Sequence, residues 1–384
     1  MKKRALIISG VAFLIVIIIG GGLVGYPVRK VFSAAGTFQL VPDDLRDAKI
    51  VLGHDRFSKE LVFTQADLGL ITDFEEKPNH ELIVVGQNGA VFIKDGNLVN
   101  KSISFASNQG RHHSTFNKCS SSVVGVELGV GSFLCRGAWG TNVELFDAAG
   151  KTLWSYGGGL SAIDNAAAGT LGPNATPSVV VGFNGDGGIR RLSAEGNELW
   201  KQSDANVWHV EIVVDDKSGN VILHSNAKGQ LTMRDANGNV LGRYDPEIYL
   251  DSFTMTTWGD DPDRKKLVAS KKGSIYVLST DGKTVARLPA PGSAAPGSAS
   301  NLADPKGTRV RFSARAPYFA GLLRYFLWTR SLLYIYDSGN QLVYHEILDH
   351  NCGALHATPD ENGVENLFVG CEGTVLKYSL ANHD

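Results

Sequence analysis

Phe146-Asp147-Ala148-Ala149-Gly150-Lys151-Thr152-Leu153-Trp154 returns 46 residues later as Leu192-Ser193-Ala194-Glu195-Gly196-Asn197-Glu198-Leu199-Trp200. Two looser copies follow, Arg234-Asp235-Ala236-Asn237-Gly238-Asn239-Val240-Leu241 and Leu278-Ser279-Thr280-Asp281-Gly282-Lys283-Thr284-Val285. Two more end at Asp337-Ser338-Gly339-Asn340-Gln341-Leu342 and Asp95-Gly96-Asn97-Leu98. From Gly150 to Gly282 the shared glycines stand 46, 42 and 44 residues apart, the about 40 to 50 residues of one propeller blade. Each copy reads as a hairpin. The Asp or Ser with its Gly makes a tight turn needing positive φ, and alternating apolar residues on both sides make the strands.

Working outward, a short β-branched or aromatic run precedes each hairpin: Leu82-Ile83-Val84-Val85, Phe133-Leu134-Cys135, Val179-Val180-Val181, Val221-Ile222-Leu223, Leu267-Val268-Ala269, Phe326-Leu327-Trp328 and Leu367-Phe368-Val369. Such runs suit strands buried between neighbouring blades. Ahead of these lie inner strands such as Ala166-Ala167-Ala168 and Val210-Glu211-Ile212-Val213, with small residues where blades converge. The count gives an all-β propeller of seven blades, with six and eight as alternatives. A β-sandwich would not explain so regular a period. The last copy, Gly373-Thr374-Val375-Leu376-Lys377-Tyr378, is one strand short, and Lys59-Glu60-Leu61-Val62-Phe63 supplies it. Joining the two chain ends in one blade closes the ring and removes exposed sheet edges. The stretch 289–307, rich in Pro, Gly, Ser and Ala, reads as a flexible insert projecting as a surface loop.

Composition narrows the partners. With 37 Lys+Arg against 39 Asp+Glu, the formal net charge is −2. No basic block offers the concentrated positive patch that nucleic acid needs. At the amino terminus, Met1-Lys2-Lys3-Arg4 precedes an uncharged apolar run over residues 5–26, and about 20 apolar residues suffice to span a bilayer as a helix. Basic residues before the first span keep that end in the cytoplasm. Residues 1–30 are therefore expected to form a basic cap and transmembrane signal anchor, 31–47 a spacer, and 48–384 the exported propeller. The alternative, a cleaved secretory signal, has a shorter apolar core of about 7 to 15 residues.

The Asp/Ser-x-x-Gly-x-x-Leu-Trp hairpins resemble the repeats of quinoprotein-type (PQQ-like) propellers, over roughly residues 60–380. The family includes bacterial quinoprotein dehydrogenases and the propeller subunit of the outer-membrane β-barrel assembly machinery. The resemblance implies either a periplasmic redox enzyme that binds pyrroloquinoline quinone or a non-catalytic scaffold. This chain carries no adjacent Cys-Cys pair to stack on a quinone, so no cofactor is expected. A repeat specifies a blade and not a reaction. The reading favoured is a membrane-anchored, non-catalytic propeller that binds envelope proteins in the periplasm. The alternative is a channel enzyme, a quinone-dependent dehydrogenase or a group transferase with a histidine nucleophile.

For such chemistry the candidates are His209 and His356 on inner strands, and His112 and His113 just ahead of a third. Imidazole can form covalent intermediates, and periplasmic propeller sulfotransferases resemble this in using a channel histidine. The competing reading is a set of hydrogen-bonded structural residues. Asp164, Asp215, Asp216, Asp251 and Asp360 fall near inner-strand ends, where Asp caps turns. Neither Asn184-Gly185-Asp186-Gly187 nor Asp360-Glu361-Asn362-Gly363 completes a calcium loop, and no metal is expected. Two Gly-Lys-Thr trios lack the upstream glycine of a phosphate loop. Cys119 with Cys135, and Cys352 with Cys371, occupy matching places on neighbouring strands and are disulfide candidates in an oxidising compartment. Four free thiols are the alternative.

Overall fold

The computed structural model describes residues 48–77, 81–94, 97–105, 118–122, 131–137, 142–157, 161–215, 218–250, 253–256, 258, 265–271, 274–290, 299–300, 309–314, 331–337, 339–359 and 365–381. These form seven antiparallel sheets, the blades of a seven-bladed propeller. Blade 1 holds β3 (Ile71–Glu76), β4 (Leu82–Gly86), β5 (Gly89–Lys94) and β6 (Asn97–Ser104). Blade 2 holds β7 (Lys118–Ser122), β8 (Ser132–Arg136), β9 (Asn142–Phe146) and β10 (Thr152–Gly157). Blade 3 holds β11 (Ile163–Leu171), β12 (Thr176–Phe183), β13 (Ile189–Ser193) and β14 (Glu198–Gln202). Blade 4 holds β15 (Val207–Asp215), β16 (Gly219–Asn226), β17 (Leu231–Arg234) and β18 (Val240–Tyr244). Blade 5 holds β19 (Thr254–Thr256), β20 (Lys266–Lys271), β21 (Ser274–Leu278) and β22 (Thr284–Pro289). Blade 6 holds β23 (Ala299–Ser300), β24 (Arg309–Ala314), β25 (Ser331–Tyr336) and β26 (Leu342–Ile347); blade 7 holds β27 (Cys352–Pro359), β28 (Glu365–Cys371) and β29 (Thr374–Leu380).

The core lies between blades. Phe133 and Cys135 pack with Ile83 and Phe92 of blade 1, while Leu134, between them in sequence, packs with Val179 and Val181 of blade 3. Successive side chains leave opposite faces of a sheet, and both faces here are covered. That is why the second strands read as unbroken apolar runs instead of alternating ones. At the blade 1–2 junction Phe105 sits 5.1 Å from Phe133 and 5.2 Å from Phe146, centroid to centroid.

The repeated tryptophan and glycine fasten one blade to the next. Trp154 donates from Nε1 to the Ala194 carbonyl at 2.8 Å, and Trp200 does the same to Ala236 at 2.8 Å. Gly196 (φ +83°) lies under the Trp154 ring, where a Cβ would come within 2.8 Å of it. The motif glycine therefore serves its own turn and also seats the preceding blade's indole.

Two strands from the start of the described chain close the ring. β2 (Phe57–Thr64) pairs with β29 as the outer strand of blade 7, covering the expected Lys59–Phe63. β1 (Lys49–Leu52), which the repeat count does not anticipate, adds a fifth strand to blade 6 beside β26. Between them, Lys59 Nζ meets Glu346 Oε1 at 2.7 Å, and the Tyr344 and Tyr378 hydroxyls each donate to Glu346 Oε2 at 2.8 Å. The buried carboxylate is thus satisfied from three strands of two blades.

Two expectations for blade 6 are corrected. Phe326-Leu327-Trp328 lies outside the described residues, and Arg309–Ala314 fills the second-strand position, pairing with β25 through Arg309↔Tyr336 to Ala314↔Ser331. Within the 289–307 stretch, Ala299–Ser300 pairs with β24 as the innermost strand, so the stretch is not wholly a projecting loop. Low-complexity composition conceals so short a strand because pairing, not side-chain pattern, defines it. The apolar run at residues 5–26 lies outside the described residues. Among the described residues no helix is long and apolar enough to cross a membrane.

Candidate functional site

The first strands of the blades form the inner ring, and neighbours touch: β27 with β3, β3 with β7, β11 with β15. Where β11 and β15 begin, polar side chains gather from three blades. Asn165 of blade 3 places its amide nitrogen 3.1 Å from His209 Nδ1 of blade 4, and His209 Nε2 is 3.0 Å from Glu211 Oε1. With the amide N–H donating to Nδ1, the imidazole proton sits on Nε2 and points at the carboxylate. The ring is buried, with the Phe253 ring centroid 4.2 Å away. Contacts at both nitrogens fix the orientation of the ring.

Arg136, at the end of β8 in blade 2, joins this group electrostatically. Desolvation lowers its pKa to about 10, while the charges of Asp164 and Glu211 pull it back up. Burial raises the Asp164 pKa, against a hydrogen bond from Asn184 and the Arg136 charge. Arg136 Nε and Asp164 Oδ2 are both buried without a hydrogen-bond partner. Buried polar atoms normally find one, so these two mark the polar cluster as a candidate binding locus.

His356 lies elsewhere in the ring. On β27 of blade 7, its Nε2 is 3.3 Å from Glu76 Oε2 on β3 of blade 1, with the Phe74 ring at 6.3 Å. Burial lowers its pKa, opposed by Glu76. His209 and His356 belong to blades that are not neighbours, each with its own carboxylate, so the two do not form one constellation. His112 and His113 lie outside the described residues, as do Asp216, Asp251 and Asp360. Asp215 accepts a hydrogen bond from the Ser218 amide at 2.9 Å, a turn-capping role. Asp164 is no simple cap, being tied to Asn184 and Arg136.

The cysteine pairs sit directly opposite one another, Cys119↔Cys135 and Cys352↔Cys371, and each is joined by a disulfide. Among the described residues no group of three His, Cys, Asp or Glu is placed to hold a metal ion. The Gly-Lys-Thr trios occupy hairpin turns, with Gly150 at φ +78° and Gly282 at +84°. Sequence reasoning passed over Arg136, Asn165 and Glu211. The available signal was a charge closing an apolar strand (Phe133-Leu134-Cys135-Arg136) and a carboxylate two residues from a histidine.

As chemistry, an imidazole held between an amide and a carboxylate is an oriented hydrogen-bond relay. Neither nitrogen is free to attack, because Asn165 and Glu211 occupy both. A nucleophilic role requires one of them to be displaced.

No family model matches the chain, and no curated protein matches it. Solved structures do. The chain is similar to a streptogramin B lyase at 12% identity, covering 85% of this chain and 98% of that one, with a TM-score of 0.57. Virginiamycin B lyase from Staphylococcus aureus gives 11% identity, coverage of 84% and 99%, and a TM-score of 0.58. The BBS1N propeller, solved in complex with ARL6DN, gives 11% identity, coverage of 84% and 96%, and a TM-score of 0.53. At these identities the likeness establishes the seven-bladed fold, which hosts both a lyase and a protein-bound domain.

Proposed function

We propose that this protein is an exported propeller of the PQQ-like repeat type, anchored by residues 1–30 in the cytoplasmic membrane with its amino terminus inside. In this reading it is a non-catalytic scaffold, binding envelope proteins on the periplasmic side and taking no cofactor. One observation carries the reading. The outer strands of blades 2 to 5 each expose an aliphatic residue at the same repeat position: Leu153, Leu199, Leu241 and Val285, at 41%, 50%, 44% and 49% exposure. Single exposed aliphatics are ordinary, but the same one recurring from blade to blade builds an apolar rim suited to protein contact. The BBS1N propeller offers a parallel, since it was solved with a protein partner. The test is crosslinking of the full-length protein in native membranes with mass spectrometry of the adducts. A reproducible partner supports the scaffold, and none overturns it.

A second reading, a channel enzyme, is favoured by the unpartnered Arg136 Nε and Asp164 Oδ2 beside His209 and Glu211. Two of the similar propellers are lyases. Under it, His209→Ala abolishes a turnover that the intact protein displays, and a bound quinone gives visible absorbance in the purified protein. A colourless protein with no histidine-dependent activity removes this reading.

A further inference from the structure

The outer strands of blades 2 to 6 share one irregularity. Each pairing with the third strand slips by one residue, leaving Leu153, Leu199, Leu241, Val285 and Val343 as the extra residue of a β-bulge. Bulges twist an edge away from partners. Blade 6 nevertheless accepts a fifth strand just beyond its bulge. There β1 pairs Leu52 with His345, Ile50 with Glu346 and Lys49 with Ile347. The added strand is aliphatic at three of its four positions, and Val343 beside it is partly buried while its four counterparts stay exposed.

The stretches corresponding to residues 345–347 are Ser155-Tyr156-Gly157 in blade 2, Lys201-Gln202-Ser203 in blade 3, Arg243-Tyr244-Asp245 in blade 4 and Arg287-Leu288-Pro289 in blade 5. Charge and proline are the usual guards of an exposed edge. Blades 3, 4 and 5 have one or both, and blade 2 has neither. The whole of β10, Thr-Leu-Trp-Ser-Tyr-Gly, is uncharged, β-prone and free of proline. Beside Tyr156, Arg190 and Glu198 pair with each other at 2.9 Å and offset one another's charge.

We propose that the edge of β10 receives an extended, uncharged segment of a partner polypeptide as a fifth strand of blade 2, aliphatic where it crosses Leu153. Backbone pairing supplies the affinity and alternate side chains the selectivity. This rests on the scaffold reading and names the place and chemistry of its contact. The test puts a photo-crosslinking residue at position 155 of the full-length protein in native membranes, with position 201 on blade 3 as comparison. Position 155 should yield one adduct mapping to an aliphatic segment of another protein, at least tenfold above position 201. Adding Leu153→Lys should remove it, with unchanged thermal unfolding confirming that this exposed site still folds. Equal yields at both positions, an adduct indifferent to Leu153→Lys, or an adduct only with a second copy of this chain overturns the proposal. A partner captured from other blades but not from position 155 overturns it and leaves the scaffold standing. Capture from no position removes both.

Discussion

Trp200 joins two blades with one side chain: its indole hydrogen-bonds Ala236 and lies within 3.2 Å of where a Cβ on Gly238 would stand. Trp200→Ala should lower unfolding stability by about 2–4 kcal/mol, chiefly through lost packing, since Arg191 still donates to the Ala236 carbonyl at 2.6 Å. Trp200→Phe keeps most of the packing and should cost about 1 kcal/mol; urea midpoints separate the two. A second residue sets acid sensitivity. His224 is buried, accepts a hydrogen bond from Arg234 Nε at 3.2 Å, and lies 3.7 Å from Asp204. Burial lowers its pKa to about 4, with Arg234 and Arg243 pushing the same way and Asp204 opposing. A histidine near 6.5 when unfolded and near 4 when folded takes up protons on unfolding between those values, so stability falls as pH drops through that window and is flat above it. At pH 5 the loss relative to pH 7 should be on the order of 2 kcal/mol. His224→Gln should flatten that slope, and an unchanged slope would assign the acid sensitivity to other groups. Trp200 was legible as a repeat position, whereas its acceptor was not, because a carbonyl leaves no mark in the sequence. His224 read as one more residue of a buried strand for a similar reason: its partners come from the loop before the blade and from the strand after it.

Among the elements, β2 does for the ring what no inter-blade contact can, because it ties the start of the described chain to its end. Truncation ahead of Lys49 should leave a cooperative unfolding transition intact. Truncation through Thr64 strips the outer strand from blade 7, exposes the β29 edge and strands Glu346 beside two phenols. That protein should aggregate or lose its sharp transition, as followed by light scattering and circular dichroism. Lys59→Ala is the gentler version. Lys59 is one-third exposed, which screens its charge, so the expected loss is about 1–2 kcal/mol. β2 was legible because a propeller lacking one outer strand demands it. β1 was not, being only four residues long and outside the period. The polar cluster was harder still. Arg136, Asn165 and Glu211 meet only because the ring brings the ends of separate blades together, and a repeat period carries no information about which polar residues converge.

For the whole molecule, the two disulfides bear on where it folds. Each ties a first strand to a second, in blades 2 and 7, and these are the two neighbours of blade 1. Blade 1 leans on both: the Cys119 amide donates to Thr72 Oγ1 at 3.2 Å, and a Cβ on Gly353 would come within 2.7 Å of the Ile71 carbonyl. The bridges span 16 and 19 residues, and loops of that length stabilise by about 3 kcal/mol each in the chain-entropy account. Cys352→Ser with Cys371→Ser should therefore lower stability by about that amount. The larger loss belongs to blade 7, where the ring also depends on β2. Disulfides persist in oxidising compartments and are rare where glutathione keeps thiols reduced. If the basic cap and apolar run at residues 1–30 carry the propeller out of the cytoplasm, native protein taken from membranes should resist alkylation until a reductant is added. All four cysteines should then label. Labelling without reductant would place the ring in a reducing space and remove export, and with it the envelope partner, while leaving the seven-bladed fold untouched.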